Sequence, residues 1–325
     1  MPGTSPSSPN RVGQVKRDQA TGTVVCIGVF DGVHLGHQSL IAQARAAADE
    51  AGLPLVAVTI APHPAALLRP GSAPKSLASL EHRMELLRKA GADEVEVLRF
   101  DEALAQLTPT EFARSVIVEQ LRAKIVVVGA NFLFGVKASG DVDQLSNLGD
   151  EFGFSVCAVA LESDGEPWSS TRIRSLLLQG EIAEANHILG RSYRIEGTVV
   201  HGDHRGRELG FPTANLQVAG EPIVPADGVY AGILTVRSDS GAGTSMPAAV
   251  SVGTNPQFDG QEQRIESYVL DRTDLDLYGH NVLVDFVGFI RGQATFDSLE
   301  AFIAQMGDDV EQARAMLAMP ARILP

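Results

Sequence analysis

Cysteine is scarce in this chain: two thiols, Cys26 and Cys157, among 325 residues. Both lie in apolar, strand-like runs, which argues against a disulfide framework or a cysteine zinc site and predicts buried thiols. Basic residues are also short. Lys and Arg total 26 against 40 Asp and Glu, a formal net charge of −14, which argues against nucleic acid or an anionic membrane as the main partner. No apolar run nears the roughly 18 residues that a membrane span needs. Residues 1–10 are rich in Pro, Ser and Gly and lack an apolar core. Residues 1–20 are therefore expected to form a flexible tail and not a signal peptide, with the cytoplasm as the compartment. Two familiar nucleotide loops are missing as well: no Gly-x-x-x-x-Gly-Lys-Ser/Thr occurs, and no Gly-x-Gly-x-x-Gly follows a strand.

What is present is an ordinary globular composition, 44% hydrophobic and 20% charged, over a length that suits two domains. Up to about residue 189, strands alternate with helices. Thr23–Ile27, Leu55–Ile60, Glu94–Leu98, Ile125–Val128 and Ser155–Ala160 read as strands. Gln38–Ala48, Leu80–Ala90, a segment capped by Thr108-Pro-Thr-Glu111 and running to about Arg122, and Asp141–Phe152 read as helices. Such alternation predicts a Rossmann-like α/β domain: a parallel sheet covered on both faces, with ligands beyond the carboxyl ends of its strands. Helices Ser170–Gln179 and Ile182–Leu189, each stopped by a glycine, are expected to close this half. Beyond Gly190 the period changes. Tyr193–Val200, Val229–Val236, Ala248–Val252, Arg264–Leu270 and Val282–Ile290 read as strands joined by Gly, Pro and Asp turns. They predict a small antiparallel β-barrel, followed by a C-terminal helix over Phe296–Leu317. The expected domains are residues 21–188 and 189–325.

The densest chemical signal is Gly28-Val-Phe-Asp-Gly-Val-His-Leu-Gly-His37, at a strand–turn–helix junction. Gly28 and Gly36 let backbone N–H groups approach a phosphate, Phe30 and Asp31 belong to the same turn, and the helix start offers unpaired donors and partial positive charge. His34 and His37 are placed to hydrogen-bond a triphosphate and to stabilise charge on a pentavalent phosphorus. The segment resembles nucleotidyltransferases that move AMP from ATP onto a second phosphate. Three more segments fall where the strands of this half end. Pro62-His63-Pro64 either rims the pocket or forms a rigid surface loop. In Gly129-Ala-Asn-Phe-Leu-Phe-Gly135, Asn131 is placed to hydrogen-bond a ligand, while Phe132 and Phe134 either flank an aromatic ring or fill a tight turn. Ser169-Ser-Thr-Arg-Ile-Arg174 opens a helix, where Ser170, Thr171 and Arg174 either grip a phosphate or form an ordinary capped start.

The second half carries its own candidates. In Gly210-Phe-Pro-Thr-Ala-Asn215, Pro212 restricts the backbone, and Thr213 and Asn215 lie two apart, on one side of an extended segment. That oxygen pair suits Mg²⁺, which prefers few protein ligands plus substrate phosphates; the alternative is a polar turn. Glu266, inside a strand pattern, is either solvent-facing or a catalytic carboxylate. Arg291, after the last strand, either closes over a ligand or is an exposed surface charge.

With both motif sets in view, the chain from about Gly22 to Leu317 resembles the bacterial bifunctional riboflavin kinase/FMN adenylyltransferases, also called FAD synthetases. The resemblance rests on the Gly28–His37 turn, Pro62-His-Pro64, Asn131-Phe-Leu-Phe-Gly135, Ser169-Ser-Thr-Arg-Ile-Arg174, Pro212-Thr-Ala-Asn215, Ser251-Val-Gly-Thr-Asn-Pro256 and Asp276-Leu-Tyr-Gly279. It implies small-molecule partners: riboflavin, FMN and ATP, with FAD as final product and Mg²⁺ as cofactor. The first half would transfer AMP from ATP to FMN and release pyrophosphate. His34 and His37 would bind the ATP phosphates and stabilise the transition state, and Asn131 would hold the reacting phosphates or ribose. Ser170, Thr171 and Arg174 would grip the leaving pyrophosphate, and Pro62, His63, Pro64 and Phe132 would rim the flavin pocket. The second half would phosphorylate riboflavin, with Thr213 and Asn215 at the Mg²⁺-ATP positions of the loop that begins at Gly210. Glu266 would be the general base, and Arg291 would close over flavin or phosphate. Val29 and Pro167 depart from the family's pattern, where relatives often carry Asn and a basic residue. A rival reading keeps the adenylyltransferase and makes the barrel a non-catalytic flavin-binding module. A third gives the nucleotidyltransferase a different substrate.

Overall fold

The computed structural model describes residues 22–160, 165–201, 211–237, 243–254 and 263–318. Its first part runs β1 (Thr23–Gly28), α1 (Leu35–Ala51), β2 (Leu55–Ala61), α2 (Pro64–Leu68), α3 (Leu80–Lys89), β3 (Glu94–Arg99), α4 (Glu102–Gln106), α5 (Pro109–Phe112), β4 (Ala123–Gly129), α6 (Val142–Phe152) and β5 (Ser155–Val159). The Thr108 hydroxyl accepts from the Glu111 N–H and the Glu111 carboxylate accepts from the Thr108 N–H, the capping box expected from the sequence. From α5 the chain continues into a π-helical stretch, Ala113–Gln120.

The five strands form a parallel sheet in the order β3-β2-β1-β4-β5. Side chains alternate across a strand, and β1 shows the result. Val24 and Cys26 enter one core layer with Ile41 and Ala44 of α1, while Val25 and Ile27 enter the other with Ile117 and Leu145. A strand covered on both faces is apolar at nearly every position, so the inner strands β1, β2 and β4 stand out as apolar runs, while the edge strand β3 does not. The chain leaves β1 for β2 on one side, and β4 lies on the other. The switch point therefore falls between β1 and β4, beyond Gly28 and Gly129, the place where open sheets of this kind bind ligands.

The second part runs α7 (Ser170–Gln179), α8 (Ile182–Leu189), β6 (Tyr193–Val200), β7 (Thr213–Val218), β8 (Gly228–Val236), β9 (Thr244–Thr254), β10 (Gln263–Val269), β11 (Asn281–Arg291) and α9 (Leu299–Ala318). Its strands close an antiparallel barrel in the order β10-β7-β6-β11-β8-β9. In β6, Tyr193, Ile195 and Val199 alternate inward. The α9 helix packs on the barrel's outer face through Ala313 against Ala231, Ala249 and Leu270.

By packing, the chain divides into two compact units: the described residues of Met1–Pro74 with Leu80–Pro167, and those of Lys75–Ser79 with Trp168–Pro325. Helices α7 and α8, grouped above with the first half, lie in the barrel's unit, where Ile173, Leu177, Ile182, Ile188 and Leu189 join its core. Among the described residues, no helix is long and apolar enough to cross a membrane.

Candidate active sites

The first site grows out of the end of β1. After Gly28 the backbone enters the left-handed region at Phe30 (φ 53), Gly32 (φ 79) and Val33 (φ 40), and α1 then starts at Leu35. His34 is the N-cap residue, its side chain caps no helix N–H, and the first turn of α1 carries no acidic residue. The helix therefore presents its positive end at the switch point. His34 is buried, and its ring stacks on His37 with centroids 3.7 Å apart and planes 23° apart. Phe30 meets His37 edge-on at 5.2 Å and covers Gly28, where a Cβ would lie 3.1 Å from the Phe30 ring. The His37 Nδ1 is buried without a hydrogen-bond partner among the described residues. Burial, then the positive charge of His34 and Arg83, holds the His37 pKa well below its ordinary 6.5. An unsatisfied imidazole nitrogen in a positive field at a helix start fits an anion such as a phosphate.

Asp31 belongs to this turn. It is buried, and its carboxylate accepts from the Arg83 guanidinium at 3.2 Å. This ion pair ties the turn after β1 to α3. Arg83 lies outside every motif of the sequence; its one signal is that it shares the buried face of α3 with Leu87, an odd place for a charge.

At the end of β2, His63 is the N-cap of α2, its Nδ1 accepting from the Ala65 N–H at 3.1 Å, with Pro64 as the first helical residue. Pro62 is exposed. At the end of β4, next to β1, Asn131 is exposed and Phe134 is buried. Phe132 stacks on Phe134 at 5.7 Å and packs against the sheet's core. The aromatics thus brace the loop that carries Asn131. Ser170, Thr171 and Arg174 open α7 in the second unit. Ser169 is the N-cap, accepting from the Arg172 N–H at 3.1 Å, and Arg174 Nε donates to the Lys75 carbonyl at 2.8 Å.

On the barrel, Thr213 and Asn215 lie in a strand, β7, and not in a polar turn. Glu266 of β10 lies directly across from Asn215 on one side and from Ser251 of β9 on the other. Ile265 and Val269 enter the barrel core, so Glu266 points outward. The Thr213 hydroxyl donates to the Glu266 carboxylate at 3.0 Å. Register thus brings two oxygen donors and a carboxylate together on one outer face. Among the described residues no three His, Cys, Asp or Glu cluster to hold a metal; the neutral oxygens of Thr213 and Asn215 instead fit Mg²⁺ carried in with phosphates. Pro212 precedes β7 directly, and Gly210 lies outside the described residues. Arg291 does not stand open at the end of the barrel. Its guanidinium forks onto the buried Asp309 of α9 at 2.8 and 2.6 Å, which ties strand to helix.

Comparison with known proteins agrees with both halves. A family model described as FAD synthetase matches residues 16–172, and one described as riboflavin kinase matches residues 189–317. A bifunctional riboflavin kinase/FMN adenylyltransferase from Listeria monocytogenes is 37% identical over 298 residues, covering 91% of this chain and 92% of the relative. Its counterpart from Escherichia coli K12 is 35% identical over 299 residues, covering 92% and 94%. A solved structure from Streptococcus pneumoniae, described as a macrolide-efflux protein, matches with a TM-score of 0.83 at 34% identity, over 92% of this chain and 96% of that one. The chain belongs to the family of bifunctional riboflavin kinases/FMN adenylyltransferases.

Proposed function

We propose that this protein makes FAD in two steps, phosphorylating riboflavin to FMN on the barrel and adenylylating FMN to FAD at the β1–β4 switch point, with ATP as donor in both. The observation that carries this reading is the presence in one chain of paired imidazoles at a helix start and of a Thr–Asn–Glu cluster on a barrel face. The two chemistries make different demands. The phosphate of FMN is already a nucleophile, so the first-half site needs alignment and charge stabilisation, not a base. His34 and His37 bind the triphosphate and stabilise charge at the α-phosphorus, Asn131 orients the phosphates or ribose, and Ser170, Thr171 and Arg174 take the pyrophosphate. Pro62, His63, Pro64 and Phe132 rim the flavin side.

A ribityl hydroxyl is a poor nucleophile and needs a base. Glu266 accepts its proton as the oxygen attacks the γ-phosphorus, and the Thr213 hydroxyl fixes the carboxylate's orientation. Thr213 and Asn215 would hold Mg²⁺, which supplies charge neutralisation on the transferred phosphoryl group. The functional division we propose follows residues 21–188 and 189–325, with the cytoplasm as the place of work. Incubation of the purified chain with riboflavin and Mg²⁺-ATP, followed by chromatography of the flavins, tests the reading. FMN appears first and FAD follows. FAD formed from supplied FMN, but no FMN from riboflavin, would instead make the barrel a flavin-binding module.

A further inference from the structure

We propose that Arg83 is the positioning residue of the adenylyl-transfer site, its buried guanidinium holding the Val29–His34 turn in the shape that presents the two imidazoles to phosphate. The proposal rests on the reading of that turn as phosphate-binding and extends it to a residue 52 positions away from Asp31 in the chain.

The turn does not hold itself. Phe30 and Val33 have φ of 53° and 40°, a region that L-residues occupy only under strain. The β-branched Val33 is among the worst suited to it. The surroundings must over-determine such a conformation, and Arg83 is built to do so. Its Nη1 donates to the Val29 carbonyl at 3.0 Å and, more weakly, to Thr59 Oγ1 and the Ile60 carbonyl at 3.4 Å. Its Nη2 donates to Asp31 at 3.2 Å. The Thr59 hydroxyl adds a second bond to the Val29 carbonyl, at 2.9 Å. One planar fork thus joins the turn after β1 to the end of β2. Both Arg83 and Asp31 are buried, 8% and 3% exposed, where an arginine's fixed donors serve better than a lysine's point charge. The charged groups acting on His37 are His34 and Arg83, the latter paired with Asp31.

The test uses the full chain carrying Arg83→Lys, Arg83→Gln or, as control, His37→Ala. FAD formed from FMN and Mg²⁺-ATP and FMN formed from riboflavin are read in all three, and the His37 ring titration by NMR in the wild type and the two Arg83 variants. Arg83→Lys keeps the charge and loses the fork. Its adenylyl-transfer kcat falls roughly 10- to 100-fold, while riboflavin phosphorylation and the His37 titration stay as in the wild type. Arg83→Gln shows the same loss, and His37 titrates at higher pH because a neighbouring positive charge is gone. Wild-type adenylyl transfer in both Arg83 variants, beside an inactive His37→Ala, overturns the proposal. So does loss of the fold of residues 22–160 in both, since Arg83 would then hold the domain and not the turn. An active His37→Ala instead overturns the reading of the turn, and the proposal with it.

Discussion

His34 and His37 lie ring on ring, 3.7 Å between centroids, and two imidazoles so placed do not both carry a proton cheaply. Burial first, then the charges of His34 and Arg83, keeps the His37 pKa below 6.5, so the free enzyme holds this ring neutral at pH 7. A bound triphosphate reverses the balance and raises the pKa. Binding therefore takes up a proton, and affinity strengthens as pH falls from the bound-state pKa toward the free one. Calorimetry of ATP binding in two buffers of different ionisation enthalpy measures this, and the uptake vanishes in His37→Ala. Without ligand the sign differs: the unfolded chain protonates this ring first, so the fold loses stability as pH drops below about 6.5. On the barrel, Glu266→Gln keeps the shape of the side chain and removes its basicity. Riboflavin phosphorylation is expected to fall by about 10²- to 10⁴-fold, with FAD formation from FMN unchanged, as read by flavin chromatography. His34 and His37 stand in a motif, whereas Glu266 stands out only through the family resemblance. Asp31 stands in that motif too, but its partner Arg83 reaches it through tertiary packing that no local spacing reveals.

Strands and helices followed the periodicity closely where packing is one-sided or continuous. Helices α7 and α8 have the limits read from their glycine stops, and β6 has those read from its alternation. The strand that escaped was β7. Leu216 is the sole buried residue in it, and Pro212 at its mouth reads as a turn. The partner of an apolar stripe was equally hidden. The stripes on α7 and α8 announce burial, but not that the barrel's core receives them. Arg291 shows the same limit at the α9 junction. With Asp309 4% exposed and forked to Arg291, Asp309→Ala leaves a cation facing an apolar seam. That is expected to cost about 3 kcal/mol, a fall of roughly 6–12 °C in the barrel unit's Tm, measurable by calorimetry. A Tm unchanged by this substitution would mean that α9 is held by its apolar contacts alone.

Across the whole molecule, the order of the two sheets separates two chemistries that share ATP but differ in the phosphorus attacked. The parallel sheet supplies a switch point, where strand ends meet the positive start of α1, the arrangement that the proposed adenylyl transfer needs. The closed antiparallel barrel supplies a rigid outer face, where register sets a carboxylate against Thr213 and Asn215. Each half carries what its own step needs, so damage to one should leave the other working. Flavin products from riboflavin and Mg²⁺-ATP, compared between His37→Ala and Glu266→Gln, read this directly. The expected result is accumulation of FMN without FAD in the first, and FAD from supplied FMN but none from riboflavin in the second. Loss of both activities in either folded variant would contradict it.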